Sequence, residues 1–353
     1  MLPGDPLILI ISEENAHFYF LNTITGEIWE IKIPLERMGS YDFVAWSRDG
    51  CELIMGPHHA IGGNVIRMDL RGNVLQELIS FEGLLADVGQ AALTSSEDKL
   101  AYTGVGRFVT PIDNGYSFLG TFLDVVDLSH GTGAYRLSEI NANIPSMLAW
   151  SPNGEWLAYA EYDPNQVLQV VISRPDGSER RQLTQFIDSI ASLHSLRWSP
   201  TGTGLGFLYN PDVNAGPESY LVVVPDINSE IPSHFVEVDG SRLIYDFWWQ
   251  SDTTVIAYRG SVLWIDVTND KVVDTLNASE IPEGYISWMR PIEGSNLIGF
   301  FSNSGENFYL YDQGHHIFTR LPNVANYSLA DYEVYDNWVI TPSTFPGEAN
   351  CAP

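Results

Sequence analysis

Basic side chains are scarce in this sequence. Its 353 residues include 17 Lys and Arg against 45 Asp and Glu, which gives a formal net charge of -28 and a pI near 4.3. Nucleic acids and anionic membranes are bound mainly by Lys and Arg that displace counterions from phosphates. We therefore expect no nucleic-acid partner. The acidic residues are scattered, which indicates a solvated acidic surface or, alternatively, a role in cation binding.

Long apolar runs are also missing. The nearest candidate for a membrane span, Leu7 to Ile11, is far shorter than the roughly 20 residues that cross a bilayer as a helix. No segment has the apolar spacing of an amphipathic helix. Hydrophobic residues nevertheless make up 44% of the chain and charged residues 18%. The sequence therefore predicts a compact, mostly β protein that does not insert into a membrane.

One pattern recurs along the chain. An apolar strand ends in an aromatic residue, a tight polar turn follows, and a second apolar strand begins. The clear copies are Val44 to Gly50, Leu148 to Gly154 and Leu196 to Gly202; taken with weaker copies, the landmarks are Trp46, Thr94, Trp150, Trp198, Trp249 and Trp288. Their spacing suits one four-stranded blade of about 40 to 50 residues per copy. In each turn Gly accepts a positive φ, which we expect at Gly154 and Gly202.

The two chain ends complete the predicted architecture. Residues 7–33 contain only three strands, and the missing inner strand can come from Asp331 to Tyr335 or from Trp338 to Thr341. Pairing the two ends would leave no exposed edge strand. The sequence therefore predicts an all-β fold, a single seven-bladed β-propeller of four-stranded antiparallel blades. It would occupy residues 1–353 as one domain, with 343–353 as a C-terminal tail.

The turn motifs carry a family resemblance. The WSPNG and WSPTG turns, followed by LAY or LGF, resemble the repeat of TolB-type propellers. That resemblance implies a propeller fold and little about function, because relatives include partner-binding periplasmic proteins, peptidase-gating domains and lyases. The chain has no GxSxG nucleophile motif, and its eight histidines do not align with the metal-binding cluster of the lyases.

We therefore expect a non-enzymatic binding or scaffold propeller that docks a protein or a saccharide on its loop face. The alternative is a metal-assisted hydrolase or lyase acting at the mouth of the central channel. Three or more His, Asp or Glu side chains converging at that mouth would favour the enzyme. No cofactor is expected, with calcium as the alternative, because Asp163 and Asn165, or Asp212 and Asn214, present oxygens that calcium favours.

Loops that join second to third strands gather on one face of a propeller, and long loops on rigid scaffolds tend to carry function. The longest runs from Val105 to Leu119. The candidate ligand-binding residues on this face are His58, His59, Arg107, Asp113, Tyr116, Tyr162, Asp163 and Asp212. The recurring Trp46, Trp150, Trp198 and Trp249 are instead expected to pack between blades.

Two cysteines, Cys51 and Cys351, match no zinc or CxxC spacing and are either idle thiols or one disulfide. Cys51 follows the inner turn of the second blade, and Cys351 lies shortly beyond the strand that would close the first. Adjacent blades bring those points to the same side of the ring, so a disulfide between them is predicted. With it we expect a monomeric protein in an extracellular or periplasmic location, with the cytoplasm as the alternative.

Overall fold

A computed structural model gives the fold of most of the chain. It describes residues 7–12, 17–22, 28–31, 40–47, 52–58, 64–69, 72–80, 86–106, 121–129, 135–140, 147–187, 192–211, 219–228, 233–236, 244–284, 286–291, 296–302 and 307–320. Within these ranges the chain is almost entirely β-strand, and the only helical segment is a single 3-10 turn, Pro282–Gly284. The predicted all-β character is therefore confirmed.

The described strands form one three-stranded and six four-stranded antiparallel sheets. Sheet 1 contains β1 (Leu7–Ser12), β2 (His17–Asn22) and β3 (Ile28–Ile31), and sheet 2 contains β4 (Ser40–Trp46), β5 (Glu52–His58), β6 (Asn64–Asp69) and β7 (Val74–Ser80). Sheet 3 contains β8 (Ala86–Leu93), β9 (Lys99–Gly106), β10 (Thr121–Asp127) and β11 (Tyr135–Ile140), and sheet 4 contains β12 (Leu148–Trp150), β13 (Leu157–Tyr162), β14 (Leu168–Ser173) and β15 (Arg181–Gln182). Sheet 5 contains β16 (Ser192–Trp198), β17 (Leu205–Asn210), β18 (Tyr220–Val224) and β19 (His234–Phe235), and sheet 6 contains β20 (Asp246–Trp249), β21 (Thr254–Tyr258), β22 (Val262–Asp266) and β23 (Lys271–Leu276). Sheet 7 contains β24 (Ile286–Pro291), β25 (Leu297–Ser302), β26 (Phe308–Asp312) and β27 (Ile317–Arg320).

Each sheet is a meander in which every strand pairs with the next one along the chain. Short hairpin connections allow this order, because antiparallel neighbours need no crossover. The chain divides into two compact units: residues 1–57, 63–80 and 276–353 form one, and residues 58–62 and 81–275 form the other. Sheets 3 to 6 belong to the second unit, which contains the surfaces discussed below.

The hairpin between the first two strands of a sheet is fastened by a buried hydroxyl. Ser151 Oγ accepts the backbone N–H of Trp156 at 3.0 Å, and Ser199 Oγ accepts that of Gly204 at 3.0 Å. Thr94 does the same for Lys99 at 3.1 Å. These hydroxyl residues are 0% to 2% exposed, so each bond satisfies a backbone donor that water cannot reach. The Ser after the recurring Trp is therefore part of the turn itself.

Gly154 and Gly202 have φ values of 69° and 76°, which confirms the predicted left-handed conformation at these turns. The landmark Thr94 is displaced by one residue. Leu93 pairs with Leu100 as Trp150 pairs with Leu157, so Leu93 occupies the position of the recurring Trp. The Thr94 landmark was wrong because a Leu replaces the aromatic residue in sheet 3.

Recurring Trp side chains join neighbouring sheets of the second unit. Trp150 Nε1 donates to the Ala92 carbonyl at 2.9 Å, Trp198 Nε1 to the Ala149 carbonyl at 2.8 Å, and Trp249 Nε1 to the Arg197 carbonyl at 3.0 Å. In each case the acceptor is the residue directly before the position that corresponds to the recurring Trp in the previous sheet. The predicted packing of these three Trp residues is thereby confirmed, and the side chain of Trp46 lies outside the described residues.

The core of the second unit lies between consecutive sheets. Every residue of the central strands β14 and β17 is buried, so these strands show no alternation of apolar and polar residues. Val170, Ile172 and Phe207 belong to one cluster that joins sheets 4 and 5. Burying such side chains contributes about 1.5 to 3 kcal/mol each. Outer strands such as β23 alternate between exposed and half-buried positions instead.

Candidate binding surface

Most of the predicted site residues lie outside the described residues. His59, Arg107, Asp113, Tyr116 and Asp212 do so, as do both cysteines and the predicted closing strand. His58 ends strand β5, but its side chain is also outside the described part. Tyr162 ends strand β13 and is half-buried, and Asp163 begins the loop that follows. The predicted roles of these residues in binding stay predictions.

Asp163 organises its own loop. Its carboxylate accepts the backbone N–H groups of Asn165 at 2.8 Å and Val167 at 3.0 Å. The bond from the Val167 N–H is the largest effect on the pKa of this carboxyl, and together with the bonds from Asn165 and Gln169 it outweighs desolvation and lowers that pKa. The side chain is therefore ionised at neutral pH and serves as a turn cap. Gln169 Nε2 also approaches Asp163 Oδ2, at 3.5 Å.

Gln169 positions the segment that leaves sheet 4. Its side chain is 1% exposed, its Oε1 accepts the backbone N–H of Phe186 at 3.0 Å, and its Nε2 donates to the Phe186 carbonyl at 2.9 Å. Thr184 also donates its hydroxyl to Gln169 Oε1, at 2.8 Å. The amide thus pairs with Phe186 as a neighbouring strand would, beyond the end of the two-residue strand β15. Phe186 is held against sheet 5 as a result.

Four rings then form what we call the aromatic surface: Phe186, Tyr209, Tyr220 and Phe235. Phe186 stacks on Tyr209, with ring centroids 4.1 Å apart and an interplanar angle of 13°. Phe235 lies 5.8 Å from Tyr209 and 5.8 Å from Tyr220, with tilted and edge-on geometry respectively. The two 5.8 Å separations are in the range where aromatic pairs attract each other beyond the effect of buried area.

The aromatic surface is partly open to solvent. Phe235 is 41% exposed although it belongs to strand β19, and Ile187, directly after Phe186, is 87% exposed. Tyr209 is buried beneath them at 3%. Large apolar side chains that stand together on a surface mark interaction sites more often than isolated ones do.

Sequence reasoning missed this surface. The sequence offers one local signal for it, an aromatic residue, Phe235, in the short outer strand β19. The position of Phe186 had no local signal, because it depends on the Gln169 amide from another strand.

A second polar and aromatic group joins the first strands of sheets 5 and 6. The Arg197 guanidinium lies 2.5 Å from Asp246 Oδ1 and 3.6 Å from the centroid of the Trp248 ring, and it also donates to the Phe247 carbonyl. The Arg197 and Asp246 side chains are 13% and 22% exposed. The guanidinium covers one face of the Trp248 ring. Arg197 therefore links sheet 5 to sheet 6 through its contacts with Asp246 and Trp248.

Across the residues that the structure describes, no group of three or more His, Cys, Asp or Glu side chains is arranged to hold a metal ion. Within the same residues, no helix has the length and apolar character needed to cross a membrane.

Comparisons with known proteins define the class of fold. No family model matches the sequence, and no curated protein matches it. A protein of unknown function from Desulfotomaculum acetoxidans is similar in structure with a TM-score of 0.56 at 12% identity, over 90% of this chain and 96% of that one. An oligogalacturonate lyase in complex with manganese has a TM-score of 0.51 at 14% identity, over 92% of this chain and 93% of its own.

TolB from Acinetobacter baumannii is similar with a TM-score of 0.46 at 12% identity, over 86% of this chain and 62% of TolB. That score is too low to assign the chain to the TolB-type family, so the sequence resemblance stays a prediction. At such identities a structural likeness shows the fold and nothing more. The chain has a β-propeller fold, as the lyase does.

Proposed function

We propose that this chain is a non-enzymatic binding propeller that docks a protein or a saccharide through the aromatic surface and the adjoining loops. The observation that carries the proposal is the exposure of Phe235 above three packed rings. Folding alone would favour covering such a ring, since burial of an aromatic side chain is stabilising. A partner that covers it would gain that contribution on binding.

The proposal includes a closed ring of seven blades with a monomeric chain. It is supported by the three strands of sheet 1, where each of the other six described sheets has four. A fourth strand from residues 331–335 or 338–341 would complete sheet 1 and close the ring.

An exported location, extracellular or periplasmic, belongs to the same proposal and depends on the Cys51–Cys351 disulfide. Mass spectrometry of the denatured, non-reduced protein is expected to show one disulfide. Two free thiols would remove the support for an oxidising compartment and favour the cytoplasm.

The binding proposal is tested with matched variants. Phe235→Ala removes the exposed ring, and Val273→Ala removes an apolar side chain that is 56% exposed on the outer strand of a different sheet, sheet 6. Both variants and the wild type are screened on a glycan array and against a displayed peptide library. Ligands retained by wild type and Val273→Ala but lost by Phe235→Ala are expected. Equal retention by all three proteins would place binding elsewhere.

The alternative proposal is a metal-assisted hydrolase or lyase at the channel mouth. Calcium is one of the metals that this alternative includes. Its test is incubation of the protein with polygalacturonate and with neutral polysaccharides, with and without added Mn²⁺ or Ca²⁺. Metal-dependent product formation would establish the enzyme, and its absence with every substrate and metal would leave the binding proposal as the account of this chain.

A further inference from the structure

We infer that the occupant of the aromatic surface is a polypeptide segment that presents a large aliphatic or aromatic side chain flanked by Lys or Arg. This inference rests on the proposed binding function. It selects a protein over a saccharide as the partner, and it specifies the side chains that the partner must supply.

The apolar part of the partner follows from the exposed residues. Phe235 lies tilted to Phe186 at 52° and is edge-on to Tyr220 at 80°, so the rings make an uneven surface rather than a flat platform. Ile187 extends it with an aliphatic side chain that is 87% exposed. Aromatic anchors next to aliphatic contacts are typical of the energetic centres of protein interfaces.

A saccharide requires hydrogen-bonding groups beside the ring on which it stacks. The hydroxyls within the aromatic surface belong to Tyr209, which is 3% exposed, and to the half-buried Tyr220, and the Gln169 amide is already bonded through its nitrogen and its oxygen to the backbone of Phe186. Ile187 supplies no polar atom in its side chain. A polypeptide side chain needs no such groups, because its contribution is the apolar area that it removes from water.

The basic part of the partner follows from charge complementarity. The chain carries a net charge of -28. Asp163 adjoins the aromatic surface through Gln169, whose Nε2 atom lies 3.5 Å from Asp163 Oδ2. A segment with Lys or Arg would be attracted to this surface over about 10 Å at moderate ionic strength, and an acidic segment would be repelled.

The test uses a phage-displayed library of random peptides selected on the folded wild-type protein. Enriched peptides are expected to share one large apolar residue next to Lys or Arg. Synthetic copies are then titrated calorimetrically into wild type, Phe235→Ala, Ile187→Lys and Val273→Ala. Ile187→Lys guards against a folding defect in Phe235→Ala, because a side chain that is 87% exposed contributes little to the core.

Affinity is expected to fall about tenfold or more in Phe235→Ala and Ile187→Lys, to stay unchanged in Val273→Ala, and to fall severalfold as salt is raised. Three results would overturn the inference. The first is that the enriched peptides lack basic residues, or that no peptide is enriched. The second is glycan binding that Phe235→Ala abolishes, which would leave the binding function standing. The third is self-association of the wild type that Ile187→Lys abolishes, which would make a second copy the occupant. If the wild type bound neither peptides nor glycans, that result would contradict the binding function itself.

Discussion

At the residue scale, the turn between the first two strands of a sheet meets two physical requirements, and the residues that meet them recur in the sequence. The hydroxyl of Ser151 or Ser199 satisfies a buried backbone donor, and a glycine closes the turn at positive φ. The glycine could be predicted from its place in the turn, and the role of the serine hydroxyl was learned from the structure.

Gly154→Ala and Gly202→Ala are each expected to lower the free energy of unfolding by about 1 kcal/mol or more. An added Cβ at Gly202 would lie 3.1 Å from Pro152 Cδ, and one at Gly154 would lie 3.3 Å from Thr94 Cγ2, so crowding adds to the backbone strain. Gly260→Ala is the matched control, because its φ is also positive at 89° but no atom lies within 4 Å. The urea midpoint of Gly202→Ala should be lower than that of Gly260→Ala. Identical midpoints for the wild type and both turn variants would show that these turns are not strained.

At the element scale, the outer strand of sheet 4 is extended by a side chain. Gln169→Leu keeps the volume close to that of the glutamine but leaves the N–H and C=O groups of Phe186 without their amide partner. A loss of stability of about 1 to 3 kcal/mol is expected, together with weaker binding at the aromatic surface. Denaturation and titration with a selected peptide check the two effects. Full affinity in a destabilised variant would mean that Phe186 keeps its position without the amide.

Aspartates at the turns between strands predict a second property of these elements. Hydrogen bonds from Thr268 and Asn269 lower the pKa of Asp266, and hydrogen bonds from Ser178 lower that of Asp176. A carboxyl with a lowered folded pKa stabilises the protein above its ordinary pKa, near 4, and loses that contribution as the pH falls toward the folded value. Thermal unfolding between pH 7 and pH 3 should therefore show decreasing stability below about pH 4.5. Asp266→Asn, which keeps an oxygen acceptor, should reduce this acid sensitivity. The same pH dependence in Asp266→Asn and in the wild type would contradict the assignment.

The strands and turns were predictable to different degrees. Strand β23 has clear local signals, because the turn residues Asn269-Asp270 precede Lys271 and exposed and half-buried residues alternate along the strand. The fourth strand of sheet 4 has only two residues, Arg181–Gln182, since the side chains of Thr184 and Gln169 bond to the backbone beyond it in place of a longer strand. Side chains that replace strand pairing in this way follow no repeating pattern in the sequence, so they could not be predicted.

At the scale of the whole molecule, ring closure by the chain ends stays a prediction. Deleting every residue after Asn326 removes both candidate closing segments and is expected to abolish cooperative unfolding, because an incomplete first blade would expose an edge. Deleting residues 343–353 alone is the control, and it should preserve a single transition under reducing conditions. Cooperative unfolding of both truncated proteins, followed by circular dichroism, would refute closure through residues 331–341.

The candidate site was less predictable than the fold. Repeats specify strands and turns, which is why the landmarks around Trp150 and Trp198 led to the architecture. The aromatic surface instead combines Phe186 from one sheet with Tyr209 and Phe235 from the next, and no spacing in the sequence encodes that contact.

Hydrogen–deuterium exchange, measured with and without the tightest ligand from the screens, tests the binding account most directly. Slower exchange is expected in the segments around Phe186 and Phe235, with no change in strand β23, which contains the control residue Val273. Protection confined to other segments, or absent throughout while the ligand is bound, would contradict the aromatic surface as the binding site.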